Sequence, residues 1–150
     1  MHSLNWTYKH FTSLTTQELY TILSLRSEVF VVEQNCVYLD TDDKDLHSWH
    51  LSGYYQNQLV AYLRILPPGL SYKEASIGRV VTHPNFRKSG YGIELMKTGI
   101  MKSLEQFNTQ SIKISAQCYL LNFYSNLGFV ALGEDYLEDD IPHIEMIYNK

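Results

Sequence analysis

The spacing of hydrophobic and polar residues predicts a chain that begins with a short strand over residues 5–11. Thr15 and Glu18 then form a T-x-x-E capping box, a common start signal for a helix. Apolar residues recur behind the box at helical spacing, namely Leu19, Ile22, Leu23 and Phe30. The pattern predicts a helix that starts directly after Thr15 and runs to about Phe30, with a short continuation toward Gln34 as an alternative.

The middle of the chain predicts three strands and a second helix. The pattern favours strands at His50–Tyr55 and Gln58–Leu66, joined by a turn, and a third strand at Ser76–Thr82. A helix follows from Gly90 to about Phe107, with an apolar stripe formed by Ile93, Met96, Ile100 and Leu104. Gly99 inside this helix costs about 1 kcal/mol relative to Ala, so we expect a close packing contact there.

The last third of the chain predicts a strand at Ser111–Ala116 and a short helix at Leu120–Leu127, closed by Gly128. Two strands follow, near Phe129–Glu134 and Ile144–Tyr148. The resulting order is β-α-β-β-β-α-β-α-β-β, a mixed α/β pattern.

We expect this pattern to form a single domain over residues 1–150, since a chain of this length suits one hydrophobic core. The strand–helix–strand run over residues 76–116 predicts one right-handed parallel crossover.

Composition excludes several classes of protein. The chain has 12 Lys and Arg against 16 Asp and Glu, a net charge of −4, and no basic run, so we expect no nucleic-acid partner. The apolar stretches are too short to cross a bilayer, and residues 1–9 lack the apolar run of a signal peptide. Two cysteines, Cys36 and Cys118, are too few for a disulfide scaffold. We therefore expect a cytoplasmic protein with reduced thiols and no membrane partner.

Two acidic stretches raise the question of cations. Asp40–Asp45 begins like a calcium loop, but Lys44 and Leu51 occupy positions that need oxygen ligands, and no His/Cys spacing is typical of a zinc site. We therefore expect no metal. Asp40–Asp45 and Glu134–Asp140 either attract a cationic amine or are solvated loops.

The segment Val80–Gly92 carries the most informative chemistry. A strand runs into a loop, the loop opens a helix, and the loop reads R-x-x-G-x-G. Backbone N–H groups at a helix N-terminus attract anions, and Gly90 and Gly92 let a phosphate approach the backbone closely. Arg87 and Lys88 add positive charge. The segment favours a phosphate-binding loop, and a helix start with a tight turn is the alternative reading.

Several motifs, taken in their order along the chain, resemble those of the GNAT superfamily of acetyl-CoA-dependent N-acetyltransferases. Besides V-x-H-P and R-x-x-G-x-G, the chain has V-F-V-V-E-Q-x-C-x-Y at Val29–Tyr38, G-R-V at Gly78–Val80, N-F-Y-x-x-x-G-F at Asn122–Phe129 and I-P-H-I at Ile141–Ile144. Within the superfamily the chain is most similar to the ElaA-like family. The resemblance covers about residues 19–146.

The resemblance implies a mixed central sheet, partly splayed and flanked by helices, with acetyl-CoA as cosubstrate. It implies that Val80, Val81 and Thr82 pair their backbone with the pantetheine arm. The pyrophosphate would lie on the loop formed by Arg87, Lys88, Ser89, Gly90, Tyr91 and Gly92.

The resemblance also assigns an acid and an amide. Tyr124 stands where the superfamily has the tyrosine that protonates the departing thiolate; an aromatic core residue is the alternative. Many members carry Asn seven residues earlier, where this chain has Gln117, and Asn122 is a second candidate for cofactor binding. Cys118 as an acyl-cysteine nucleophile is an alternative that direct transfer disfavours.

The base that deprotonates the amine has three candidates. Glu33 ends the first helix, and its alternative role is a solvated carboxylate or a partner for Arg26 or Arg79. His50 and His143 are candidates because the ordinary pKa of histidine is close to neutral pH, which suits a general base. A structural role is the alternative for each. Arg79 is expected to be an ion-pair partner or to bind an acidic acceptor.

We therefore predict an acyltransferase that moves an acetyl group to a primary amine of a small molecule, peptide or protein by direct attack in a ternary complex. One alternative is a non-catalytic acyl-CoA binding or sensing protein. Another is a small interaction module whose glycine turn is purely structural. The protein is expected to be a monomer or a homodimer.

Overall fold

The computed structural model describes residues 2–150 and contains one open, mixed seven-stranded sheet. The strands are β1 (Asn5–His10), β2 (Trp49–Tyr55), β3 (Gln58–Leu66), β4 (Ala75–Thr82), β5 (Ser111–Gln117), β6 (Phe129–Glu138) and β7 (Ile141–Asn149). The helices are α1 (Thr16–Arg26), α2 (Tyr91–Phe107) and α3 (Leu121–Ser125). The strand order across the sheet is β1-β2-β3-β4-β5-β7-β6, and all neighbours are antiparallel except β4 and β5. The predicted order of elements is confirmed. No helix among residues 2–150 is long and apolar enough to cross a membrane.

The first helix starts as predicted and changes its pitch before it ends. The Thr15 N–H donates to Glu18 Oε1 at 2.8 Å, and the Glu18 N–H donates to Thr15 Oγ1 at 3.0 Å, which confirms the capping box. The α-helix ends at Arg26 rather than near Phe30, because residues 27–33 continue as a π-helix. In this wider turn Val29 and Phe30 stay buried in the same cluster as Ile22 and Leu25.

Helix α2 buries most of the predicted stripe. Its buried residues are Tyr91, Leu95, Met96, Gly99, Ile100 and Ser103, and Leu104 packs against the same core. Ile93, the first residue of the predicted stripe, is 46% exposed, so that part of the prediction is wrong. Gly99 lies on the buried face, where it meets Leu63 on β3.

The expected close contact at Gly99 is confirmed. A Cβ added there would lie 2.7 Å from Leu63 Cδ2, and Leu63 is fully buried. We expect Gly99→Ala to destabilise the fold by about 1 kcal/mol, because overpacking of about 1–3 kcal/mol outweighs a gain in helix propensity of about 1 kcal/mol. Urea unfolding would measure the change. Gly92→Ala is the control, because its added Cβ meets nothing closer than Phe123 Cζ at 3.6 Å. Equal stability of the two variants would contradict the packing argument.

Strands β4 and β5 separate soon after they meet. Their parallel register has two partner pairs, Ala75 with Ile112 and Ser76 with Lys113. The pairing of β4 with β3 shifts register between Tyr62 and Arg64, opposite the stretch where Arg79 takes a left-handed φ of 50°. This bulge increases the local bend and twist of β4. The splayed sheet and the parallel crossover are both as predicted.

The helices divide the molecule into two faces. Helix α1 packs in one cluster with Tyr62, and α2 packs in another with Leu63. Successive strand residues point to opposite faces, so α1 and α2 cover opposite sides of the sheet. Ile144 and Met146 of β7 belong to the α2 cluster, and His143 therefore points to the α1 side.

The C-terminal strands are longer than predicted. They form a hairpin in which Asp139 and Asp140 are both left-handed, with φ of 51° and 62°, as a two-residue turn requires. Most of Glu134–Asp140 is therefore strand rather than loop.

Candidate functional site

The gap between β4 and β5 opens into a cavity of about 400 Å³. Its walls come from the π-helix and the segment after it, from β3 and β4, from β5, and from the β6–β7 hairpin. Four predicted site residues, Val80, Gln117, Tyr124 and His143, line it. The other predicted site residues are not among its lining residues, namely Glu33, His50, Val81, Thr82, Asn122 and the whole loop from Arg87 to Gly92.

One backbone edge of β4 faces this gap without a strand partner. The His83 N–H donates to Val60 O at 2.7 Å, so the backbone of His83 faces β3. Alternation in an antiparallel pair then directs the N–H and C=O of Thr82 toward the gap. The same alternation directs the Val81 backbone to β3, where it is paired with Tyr62, and the Val81 side chain is buried in the α1 cluster, so neither faces the gap.

The predicted phosphate loop leads into α2 as a loop of exposed residues. Lys88 and Gly90 are left-handed, with φ of 62° and 86°, and Gly90 is the N-cap of α2. The N–H groups of the first turn of a helix have no intrahelical acceptor and point outward. The Tyr91 ring is buried and its hydroxyl accepts from the His2 N–H at 2.8 Å, so Tyr91 can offer a ligand only its backbone. Ser89 is exposed, and its hydroxyl lies 3.4 Å from Arg87 O.

Arg87 is already paired in this loop. Its Nη1 and Nη2 donate to the two carboxylate oxygens of Glu33 at 2.7 and 2.6 Å, and its Nε donates to Thr82 O at 3.3 Å. The hydrogen bonds from Arg87 lower the pKa of Glu33, and those to Glu33 raise the pKa of Arg87. Glu33 pairs with neither Arg26 nor Arg79. A carboxylate held ionised outside the cavity is a weak proton acceptor.

Tyr124 brings a hydroxyl to the cavity from a packed ring. The ring is 6% exposed and lies edge-on to Phe123 and Phe129, with centroids 5.1 and 5.9 Å away. The hydroxyl makes no hydrogen bond to any residue between 2 and 150. Burial, followed by the nearby Tyr119, raises the pKa of Tyr124 well above its usual range. The hydroxyl therefore stays protonated at neutral pH, as a general acid must be before it donates.

The two amide candidates lie in different surroundings. Gln117 ends β5, directly opposite His143 on β7, and lines the cavity. Asn122 lies exposed on α3 and contributes its backbone carbonyl to the Asn126 N–H. The amide at the cavity is therefore Gln117.

His50 has both ring nitrogens engaged. Nε2 lies 3.1 Å from the Asp45 carbonyl, which can only accept, so Nε2 carries the proton. Nδ1 then accepts from the Tyr62 hydroxyl at 2.7 Å. Burial lowers the pKa of His50, and its surroundings hold the ring in a structural role.

His143 keeps one nitrogen available. Nδ1 lies 2.7 Å from the Ile141 carbonyl and must donate to it, which leaves Nε2 unprotonated in the neutral ring. Nε2 lies 3.4 Å from Glu138 Oε2. The ring also stacks on Tyr136, with centroids 6.3 Å apart. His143 is therefore an oriented proton acceptor at the wall of the cavity.

A buried ion cluster beneath the cavity was not predicted. Arg26 is fully buried; its Nε donates to Asp40 Oδ2 at 2.8 Å and its Nη1 to Asp45 Oδ1 at 2.7 Å. Arg64 binds Asp45 and Asp42 at 2.8 and 2.6 Å.

Arg79 completes this cluster. Its Nε lies 2.9 Å from Asp40 Oδ1, so its expected role in an ion pair is confirmed. The acidic groups of Asp40–Asp45 that were expected to be solvated or to attract an amine are thus largely neutralised within the fold. The strand period of two residues was a usable signal, because it places Arg64 on the same face of β3 as Tyr62.

Comparison with known proteins gives the family. The model of the acetyltransferase (GNAT) domain matches residues 16–150. The chain belongs to the GNAT acetyltransferase family. This GNAT domain is 38% identical to the ElaA protein of Escherichia coli over 145 residues, which are 95% of each chain, so the expected ElaA-like resemblance is confirmed. It is 42% identical to a UPF0039 protein of Synechocystis over 146 residues, covering 97% of this chain and 95% of that one.

Solved structures agree with the sequence comparison. A crystal structure of an acyl-CoA N-acyltransferase from Pseudomonas aeruginosa superposes with a TM-score of 0.92 at 44% identity, covering 97% of the GNAT domain and 99% of that chain. The crystal structure of Escherichia coli ElaA gives a TM-score of 0.91 at 36% identity, with the same coverage. The splayed sheet is therefore the GNAT fold.

Proposed function

We propose that this GNAT domain is an acetyl-CoA-dependent N-acetyltransferase that acetylates a primary amine by direct attack in a ternary complex. The observation that carries the proposal is the gap between β4 and β5, where Tyr124 and His143 line one cavity beside an unpaired strand edge. The anion-attracting start of α2 follows that same strand in the chain. The similar protein from Pseudomonas aeruginosa is an acyl-CoA N-acyltransferase, which supports an acyl-CoA donor.

The cofactor side of the proposal uses backbone groups. The pantetheine arm carries amides and can pair with the edge of β4 at Val80 and at the N–H of Thr82, whose carbonyl already accepts from Arg87, as an added strand would. The loop from Arg87 to Gly92 would hold the pyrophosphate through N–H groups of the first turn of α2. Gly92 suits this role because it has no side chain to shield the N–H groups of that turn.

The chemical step needs a base, an acid and a path for each proton. An alkyl amine has a pKa of about 10 and is mostly protonated at neutral pH, so it must lose a proton to attack. We assign that proton to Nε2 of His143. The amine nitrogen bonds to the thioester carbon, the carbon–sulfur bond breaks, and the thiolate takes the hydroxyl proton of Tyr124. Gln117 is placed to hold the cosubstrate by its amide.

Titration calorimetry with acetyl-CoA tests the cofactor site. We expect Gly92→Glu to abolish measurable binding, because it places a side chain and a negative charge where a phosphate would approach. Met101→Glu is the matched control: it adds the same charge to an exposed position of α2 and should bind as wild type does. Absence of binding by the wild-type protein would overturn the proposal. Binding without acetylation of any amine would favour the acyl-CoA sensor instead.

Loss of Glu33 should strengthen acetyl-CoA binding. In Glu33→Gln the guanidinium of Arg87 is no longer held by a carboxylate and is free for a phosphate. An exposed pair is worth up to about 1 kcal/mol, so we expect a Kd lower by up to about five-fold at low salt. The gain should shrink at high salt, since screening weakens exposed charges. Calorimetry at two salt concentrations would measure it. Glu105→Gln removes an exposed charge elsewhere and should leave the Kd unchanged; weaker binding by Glu33→Gln would show that Glu33 instead positions Arg87.

A further inference from the structure

The charges around the cavity are arranged with opposite signs on two walls. In the cluster beneath it, three arginines face three aspartates: Arg26, Arg64 and Arg79 against Asp40, Asp42 and Asp45. These six charges balance. Three further charged residues line the cavity and lie outside this balance, namely Lys44, Glu138 and Asp139.

The wall that contains Lys44 has surplus positive charge. The Lys44 ammonium group makes no salt bridge with any described residue, and Ser48 contacts only its backbone carbonyl. Arg79 adds no surplus charge, because Asp40 and Asp42 already pair with it, but it offers a donor: its Nη2 donates to Asp40 O at 2.8 Å while its Nη1 makes no hydrogen bond to the described residues. The Arg79 side chain is 22% exposed and lines the same cavity.

The opposite wall has surplus negative charge. Glu138 and Asp139 lie there beside the His143 ring, and Glu138 accepts a bond from Ser115 Oγ at 3.3 Å. The two walls meet where the thiol of Cys36 donates to the Asp139 carbonyl at 3.3 Å. A small molecule in a cavity of about 400 Å³ can therefore contact both walls.

We infer that the acceptor is an amino-acid-like molecule whose carboxylate binds Lys44 and Arg79 while its amine faces Glu138 and His143. The inference rests on the proposed function and narrows it. A diamine or polyamine would bring a second cation against Lys44. A neutral amine would leave Lys44 and Arg79 Nη1 without an acceptor. A carboxylate satisfies both groups and orients the amine toward the base.

The test uses the intact protein and matched acceptors. Each of a panel of α-amino acids is compared with its carboxamide and its decarboxylated amine, and acetylation is followed by thiol release from acetyl-CoA and by the mass of the product. We expect kcat/KM for the free acids to exceed that for the amides and amines by about 10-fold or more. Lys44→Met should remove this preference through KM, while Lys44→Arg should restore part of it. Lys73→Met, an exposed lysine outside the cavity, should change nothing.

A binding measurement separates this inference from the proposed reaction. The same acids are titrated into the protein saturated with coenzyme A. If no acceptor is acetylated but free acids bind and Lys44→Met loses them, the carboxylate site stands and the proposed reaction fails. If amides and amines react as well as acids, or if no acid reacts or binds, the carboxylate site is overturned.

Discussion

Replacing Tyr124 with Phe is expected to lower kcat for acetyl transfer about 10²-fold, the low end of what a general acid contributes. The low end applies because a thiol of pKa near 8.5 gives a fair leaving group even without help. The substitution removes one oxygen and keeps the ring that packs between Phe123 and Phe129. Steady-state kinetics at saturating acetyl-CoA would measure the effect once an acceptor is found.

Two controls make this result specific. The Kd for acetyl-CoA and the melting temperature should stay close to wild type, because the hydroxyl makes no bond to another described residue. Unchanged turnover in Tyr124→Phe would reduce Tyr124 to a packing residue. His143→Gln should also slow transfer, because it removes the ring nitrogen that we assign to take the proton of the amine.

Replacing Arg26 with Ala is expected to lower the free energy of unfolding by about 3–5 kcal/mol. The guanidinium is fully buried and holds Asp40 and Asp45, so its removal leaves two buried carboxylates with fewer partners. Urea unfolding would measure the change. Lys9→Ala is the matched control, because it breaks the 3.0 Å pair with Glu18 at the surface, where about 1 kcal/mol or less is at stake. Similar losses in both variants would contradict the importance of burial.

The same cluster sets the acid dependence of stability. Burial acts to raise the pKa of Asp45, but the hydrogen bonds and charge of Arg26, and then Arg64, lower it below its ordinary value of 3.8. A group whose pKa is depressed by folding stabilises the fold above its unfolded value and loses that contribution as pH falls toward its folded value. The free energy of unfolding should therefore fall as pH drops below about 4, and Arg26→Ala should show a flatter decline.

Local signals predicted most of the fold. Capping, turn and alternation patterns depend on residues a few positions apart, and the Thr15 box formed as expected. Helix α3 ends at Ser125, before the predicted Leu127, and Gly128 takes a left-handed φ of 104° in the turn that follows. The π-helix after Arg26 was not predicted, because its residues have the same helical spacing of apolar positions as an α-helix. On α2 only Ile93 departed from the predicted stripe, and Leu95 takes the place of an apolar residue on the buried face.

The candidate site, like the fold, was predicted only in part. Motif order located Tyr124 and the loop before α2, and the structure brings Tyr124, Gln117 and His143 to one cavity. The order of motifs could not show that His143 rather than His50 is the better candidate base, because that depends on which ring nitrogen of each histidine has no hydrogen-bond partner. The motifs also did not predict the ion cluster around Arg26, because residues 26, 45 and 64 are distant in the sequence and meet only in the folded chain.

The gap between β4 and β5 also bears on aggregation. An unpaired strand edge in the middle of a sheet is a template on which a strand of another chain could add. Strands lie about 4.8 Å apart, so a guest strand would need roughly 10 Å between its two neighbours. The gap is narrowest where Ser76 still pairs with Lys113, and at its other end Arg87 already covers the Thr82 carbonyl. We propose that this opening admits the pantetheine arm. The same two features hinder the addition of a whole strand, so the protein can keep an exposed strand edge without polymerising through it.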